Sequence, residues 1–160
     1  MALIKVDGNL LDLAESGEFD IIVHGCNCQN TMGSGIAKQI KDRFPEAYRA
    51  DSEYDKFLGP SNRYLKLGTF SKASAGSFTI INAYTQVNYI PRGVDHFEYA
   101  SFAVILQKLA HFYGHYRFGF PYIGMGLAGG DSDRIMSMLE EFASLIYPLG
   151  GKATIVEYRP

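Results

Sequence analysis

At 160 residues, with 47% hydrophobic and 14% aromatic content, the chain carries enough apolar surface for one globular domain over residues 1–160. Its formal net charge of -2 leaves no electrostatic footprint for bulk nucleic acid or an anionic membrane surface. No apolar run approaches the roughly 20 residues that span a bilayer, and the expectation is a soluble, cytoplasmic protein.

In chain order, residues 2–6 read as an opening strand closed by the turn Asp7-Gly8-Asn9, and Leu10, Leu11 and Leu13 then predict a turn or short helix. The apolar character of residues 19–23 suits a strand buried on both faces of a helix-covered sheet. Directly after it comes HGCNCQNTMGSGIA, residues 24–37, in which Gly33 and Gly35 lead into a helix. Ile36, Ala37, Ile40 and Phe44 form the apolar stripe of that helix, and Pro45 ends it. Residues 46–57 predict a second helix before Gly59-Pro60. Residues 64–70 and 78–84 read as two strands of a hairpin around a small-residue loop at 71–77. Residues 94–113 place Phe97, Ala100, Val104, Ile105, Leu109 and Phe112 at helical spacing. Strand character returns at 116–120, followed by a second glycine-rich loop, residues 124–131. A helix with Ile135, Met138, Leu139, Phe142 and Ile146 on one face comes next, capped by Asp131 or Ser132, and residues 153–158 close the chain as a strand.

Alternating strands and helices predict an α/β sheet covered on both faces. In such sheets ligands lie at the carboxyl ends of the strands, so the two glycine loops are expected to form opposite walls of one cleft. Glycine permits close approach, and main-chain N–H groups at a helix start suit a phosphate or diphosphate. There is no GxxxxGK[ST] segment, and the first loop lacks the third glycine and downstream acid of a dinucleotide fold. The four histidines are dispersed, and Cys26 and Cys28 are too close in sequence for an ordinary disulfide, so no metal site is expected and the thiols are read as packing groups. His24, at the strand end, has an ordinary pKa near ~6.5 and is the leading candidate for proton transfer. Asp131 is the second, as a group that orients or activates water. Tyr84, Phe120 and Tyr122 are candidates for a ring lining the pocket.

From VDGNLLDL through IIVHGCNCQNTMGSGIAKQIKDRFPEA to FPYIGMGLAGGD, the chain resembles the macro domain family. It is similar in particular to the branch of ADP-ribose-1″-phosphate phosphatases, in which a strand ends in a His-x-Cys-Asn-Cys segment. The resemblance implies a three-layer α/β/α fold with a mixed central sheet. It implies ADP-ribose or ADP-ribose-1″-phosphate as ligand, hydrolysis of the distal phosphate, and no cofactor. By position, Gly33, Ser34, Gly35 and Ile36 would form the first diphosphate loop, and Gly124, Met125, Gly126, Leu127 and Ala128 the second. Asn9, beside Leu10, stands where the family has an aspartate that contacts adenine, Asn27 would orient the distal ribose, and His24 matches a histidine of the phosphatase branch. Two rival activities remain: removal of ADP-ribose from modified protein or nucleic acid, and non-catalytic reading of ADP-ribose. The related glycohydrolases use a lysine-bearing strand, and residues 80–86 contain no Lys.

Overall fold

A computed structural model describes residues 2–159. In chain order they form β1 (Ile4–Gly8), α1 (Leu10–Glu15), β2 (Ile21–Asn27), α2 (Gly35–Arg43), α3 (Pro45–Leu58), a 3-10 segment (Pro60–Lys66), β3 (Phe70–Ser74), β4 (Thr79–Gln86), α4 (Tyr99–Tyr113), β5 (Arg117–Phe120), α5 (Ser132–Ile146), a short 3-10 turn (Tyr147–Leu149) and β6 (Lys152–Tyr158). The strands make one mixed six-stranded sheet in the order β1-β6-β5-β2-β4-β3. Only β3 runs antiparallel to its neighbour, β4. Among the described residues, no helix is long and apolar enough to cross a membrane.

The apolar runs explain the three layers. Successive strand residues point to opposite faces, so β2 sends Ile21 and Val23 into one core and Ile22 into the other. The first core lies under α4 and α5, with Phe102, Leu106, Leu139 and Phe142; the second lies under α1, α2 and α3, with Leu11, Ile40 and Ala47. β4 divides in the same way, Ile81 and Ala83 against Ile80. A strand covered twice must be apolar at every step, and that is why these runs do not alternate with polar residues.

The expected hairpin exists, but displaced along the chain. Residues 60–66 coil into a 3-10 segment instead of a strand, and β3 occupies most of the expected loop. The cause is Lys66, which is fully buried and brings its ammonium 3.3 Å from Asp51 and 2.9 Å from Asp55 of α3. Those carboxylates can be met only if the chain turns toward α3 before entering the sheet. Asp55 also takes a two-pronged bond from Arg63, and Asp51 accepts from the Tyr84 hydroxyl at 2.7 Å. The α4 helix starts at Tyr99, not at residue 94, because the preceding amides are committed elsewhere: the His96 N–H donates to Ala128 O and the Glu98 N–H to Thr85 O. These bonds fasten the segment before α4 to the second glycine loop and to the end of β4.

Removing the buried cation alone would strand the Asp51 carboxylate in the interior. Lys66→Met is expected to lower stability in chemical denaturation by about 3–5 kcal/mol, the cost of one unpaired buried charge.

Candidate functional site

Because β2, β4 and β5 are parallel, their carboxyl ends open along one edge of the sheet. There the loops after these strands surround a cleft of about 620 Å³, within the ~300–1,000 Å³ range of small-molecule sites. One wall is the start of α2, with Gly33, Ser34, Gly35, Ile36 and Ala37. The facing wall is the second glycine loop, with Gly124, Gly126, Leu127 and Ala128. Gly25, Asn27, Thr31 and Gln86 also line it; of the remaining lining residues Cys26, Thr85 and Ile123 are buried and Tyr89, Arg92 and Tyr122 exposed.

Both walls present main-chain donors. The first N–H groups of a helix have no acceptor within it. In α1 and α5 this is partly met by side chains, Asn9 accepting from Leu11 and Asp12 and Asp131 accepting from Arg134. Ser34, at the corresponding position of α2, makes no such bond, so the leading amides of α2 stay open to the cleft. Across from them, Gly129 N–H donates to Gly126 O and Gly130 N–H to Gly124 O, a fold that leaves the amides of residues 126–128 without an acceptor among the described residues. Glycine is required at several points of these shapes, among them Gly129 and Gly130, where an added Cβ would meet Val94 O at 2.7 Å and Gly124 O at 2.6 Å. Gly35 sits at φ +60, and at Gly124, at φ +74, a Cβ would collide with the Phe97 ring. The arrangement can bind a polyanion by dipoles from two sides. Among the described residues, Arg92 is the one Lys or Arg lining the cleft, and no carboxylate or imidazole lines it.

Several site residues expected from the sequence are thus brought together: Asn27, Gly33, Ser34, Gly35, Ile36, Gly124, Gly126, Leu127 and Ala128. Others are not. Asn9 spends its carbonyl capping α1, with 3.0 Å bonds from the Leu11 and Asp12 amides, and lies outside the cleft, while Leu10 is buried in the core beneath α1. Met125 turns its side chain to the core instead of the cleft. Asn27 borders the cleft, but its amide donates to Thr31 O and Oγ1 and accepts from Gln29 N–H, so it shapes its own loop. Tyr84 and Phe120 are fully buried, and of the three candidate rings only Tyr122 reaches the cleft.

The two catalytic expectations require correction. His24 is 1% exposed and faces away from the cleft, its Nε2–H donating to Asn82 Oδ1 at 2.6 Å. The orientation of Asn82 is fixed because its Nδ2 donates to Ala47 O and Ser71 Oγ, and that in turn assigns the proton to Nε2 of His24. Burial pushes the imidazole down to about 4, against the smaller opposing effect of Asn82. It is therefore a neutral structural group at physiological pH. Asp131 caps α5 through a 3.2 Å bond from Arg134 N–H and does not line the cleft. The thiols are inert as well, since burial pushes Cys28 up to about 11 and raises Cys26 further from the thiolate range. Among the described residues, no group of three or more His, Cys, Asp or Glu side chains is gathered to hold a metal.

Sequence reasoning missed Thr31, Thr85, Gln86, Tyr89 and Arg92. The usable signal was β4 itself: once β4 is recognised as a parallel neighbour of β2, its carboxyl end and following loop must enter the cleft.

No protein-family model matches the chain. Across its whole length the chain is 29% identical to an uncharacterized 17.5 kDa protein of Enterobacteria phage T4 from the tk-vs intergenic region, covering 99% of that protein. A Candida albicans protein named ADP-ribose 1″-phosphate phosphatase is 24% identical over 81% of this chain and 86% of its own length. The Aspergillus fumigatus protein of that name is 37% identical over 63 residues, which are 39% of this chain and only 30% of that protein. Among solved structures, a Bacteroides thetaiotaomicron protein of unknown function has a TM-score of 0.81 at 19% identity, covering 98% of both chains. The macrodomain of Thermus aquaticus DarG has a TM-score of 0.72 at 18% identity, covering 99% of this chain and 98% of that one. Thermosipho africanus DarTG in complex with ADP-ribose has a TM-score of 0.72 at 16% identity, covering 98% of this chain and 42% of that one.

Two measurements check these placements. The native imidazole of His24 titrates near 4 against an ordinary 6.5, so the unfolded chain takes up its proton first as pH falls. Its contribution to stability is complete above pH ~6.5 and is lost toward pH ~4, with a slope of up to about 1.4 kcal/mol per pH unit, and His24→Gln should flatten that window in denaturation experiments. Asp131→Ala should cost about 1 kcal/mol, as expected for loss of an N-cap, with Asp131→Asn retaining most of it.

Proposed function

We propose that this chain, whose fold is that of the macrodomains, binds ADP-ribose in the cleft and removes the phosphate from ADP-ribose 1″-phosphate. The observation that carries the binding is the pair of opposed walls with open main-chain N–H groups, the α2 start and the loop at residues 124–128. A diphosphate between them would be neutralised by helix and loop dipoles without a lysine or arginine on every oxygen. The cleft volume suits a ligand of this size. The ADP-ribose complex among the structural neighbours and the name carried by the fungal relatives support the same ligand.

In the hydrolysis, water adds to phosphorus, the bond from phosphorus to the ribose oxygen breaks, and the water's proton ends on the leaving oxygen or in solvent. His24 is enclosed away from the cleft and Asp131 caps α5, so this reading assigns neither of them a step. Positioning the phosphoryl group and stabilising its charge are the tasks left to the cleft, and Arg92 is the cation suited to the second. One observation favours a second reading, a non-catalytic reader: among the described residues no carboxylate or imidazole lines the cleft to handle a proton. A covalent lysine mechanism on ADP-ribosylated macromolecules is disfavoured, because β4 carries no Lys and brings Thr85 and Gln86 to the cleft instead.

Calorimetry with ADP-ribose and phosphate release from ADP-ribose 1″-phosphate separate these readings. Binding with release supports the phosphatase, and binding without release assigns a reader. Failure to bind ADP-ribose would reject both.

A further inference from the structure

The two amide walls are not held in the same way. The first is the start of a regular helix, α2. The second, residues 124–131, forms no helix or strand, includes Gly124, Gly126, Gly129 and Gly130, and has no buried residue. Glycine loses more conformational freedom on ordering than any other residue, and few apolar contacts offset that loss here. The bonds from Gly129 N–H to Gly126 O and from Gly130 N–H to Gly124 O shape the loop without fastening it to the rest of the domain. Among the described residues, two hydrogen bonds tie it to a distant part of the chain, and both reach the segment that leads into α4. His96 N–H donates to Ala128 O at 2.8 Å, and Asp131 N–H donates to the Tyr99 hydroxyl at 2.9 Å.

The Tyr99 side chain is itself well placed to act as a fixed post. Its hydroxyl donates to Asp95 Oδ2 at 2.6 Å, and the other oxygen of that carboxylate accepts from Phe97 N–H at 3.0 Å. Its ring meets the Phe97 ring edge-on at 5.2 Å, and the Arg134 guanidinium lies 3.9 Å from its centre. Phe97 is buried in the core against Phe102, so the post is rooted in the domain interior. A hydroxyl that donates to a carboxylate is a better acceptor for the next N–H, and Asp95, Tyr99 and the Asp131 amide form such a chain. Asp131 is the junction at which the glycine loop ends and α5 begins. These bonds lie near solvent and add little to global stability, but they fall where the loop has little else to order it.

We propose that Tyr99 is a positioning residue for anion binding, whose hydroxyl clasps the end of the second glycine loop and so holds the amides of residues 126–128 toward the cleft before a ligand arrives. Tyr99 does not line the cleft and touches no ligand. Its effect passes through the Asp131 amide to the loop, while the Ala128 carbonyl is held independently by His96. A loop ordered in advance spares the ligand the entropy of ordering it, and this raises affinity without a new contact. The α2 wall, ordered by its own helix, does not depend on the clasp.

This inference rests on the two walls binding a diphosphate, and the test keeps it apart from the identity of the full ligand. Tyr99→Phe keeps the ring and removes only the hydroxyl. Amide hydrogen exchange without ligand, calorimetry with ADP-ribose, and NMR titration with inorganic diphosphate compare it with the unmodified chain. Exchange at residues 126–131 should quicken roughly tenfold in the variant, with the amides at the start of α2 unchanged. ADP-ribose affinity should fall roughly five- to tenfold at a nearly unchanged melting temperature. Diphosphate should still shift the amides of residues 35–37 while its shifts at residues 126–128 weaken. Unaltered ADP-ribose affinity and unaltered exchange in Tyr99→Phe overturn the inference and leave the ADP-ribose reading standing. Quickened exchange at both walls together with a lowered melting temperature reveals a general loss of structure and also overturns it. If the unmodified chain binds diphosphate but not ADP-ribose, the functional reading fails, and the diphosphate shifts at residues 126–128 still decide the role of Tyr99. If it binds neither, both fail.

Discussion

The parallel pairing of β2 with both β4 and β5 is the constraint on which the cleft depends. Ile21 stands level with Thr79 on one side and Phe118 on the other, so the three strands leave the sheet core in the same direction. Their lengths differ: β5 has four residues against seven in β2 and eight in β4. The chain after β5 therefore turns early and folds back, carrying Ile123 against Gly25 and the second glycine loop against the first. The loop after β4 is fastened to that fold-back by the bond from His96 N–H to Ala128 O. The site is thus a product of strand direction and strand length before any side-chain chemistry enters.

Charge is segregated in depth. The buried titratable groups Lys66, Asp51 and His24 make their bonds beneath the sheet and not in the cleft. Lys66 and Asp51 hold α3 and the 3-10 segment to the Tyr84 hydroxyl of β4. His24, Asn82 and the Ala47 carbonyl link β2 through β4 to α3. These contacts tie β2 and β4 to α3, and the cleft above is left to neutral donors. A site built of dipoles on a charged but internally compensated base can be stiff without being strongly charged itself.

The sequence disclosed the parts of this plan that are local. Apolar runs that do not alternate marked doubly covered strands, and two glycine loops each followed by a helix marked the cleft walls. What escaped was set by partners distant along the chain. His24, expected at a strand end, is the fourth of the seven residues of β2, and its placement is decided by Asn82, 58 residues away, which appears in no local pattern. Reading residues 64–70 as a strand failed because Lys66 has its partners in α3, and with that shift the parallel pairing of β4 was hidden along with Thr85, Gln86 and Arg92. Asn9 and Asp131 carried two readings in the sequence, and in both the capping bond is the one realised.

Building the two walls from peptide N–H groups also shapes how the chain can vary through time. A donor that belongs to the backbone is not deleted when its side chain is exchanged, so Ser34, Ile36 and Leu127 can drift in identity with the hydrogen-bonding surface intact. The burden of conservation falls instead on backbone shape, at Gly35 and Gly124 with their left-handed φ angles. The same limit applies at Gly129 and Gly130, where an added Cβ would meet Val94 O at 2.7 Å and Gly124 O at 2.6 Å, so the cleft survives exchange of its wall side chains only while these backbone positions stay free of a side chain.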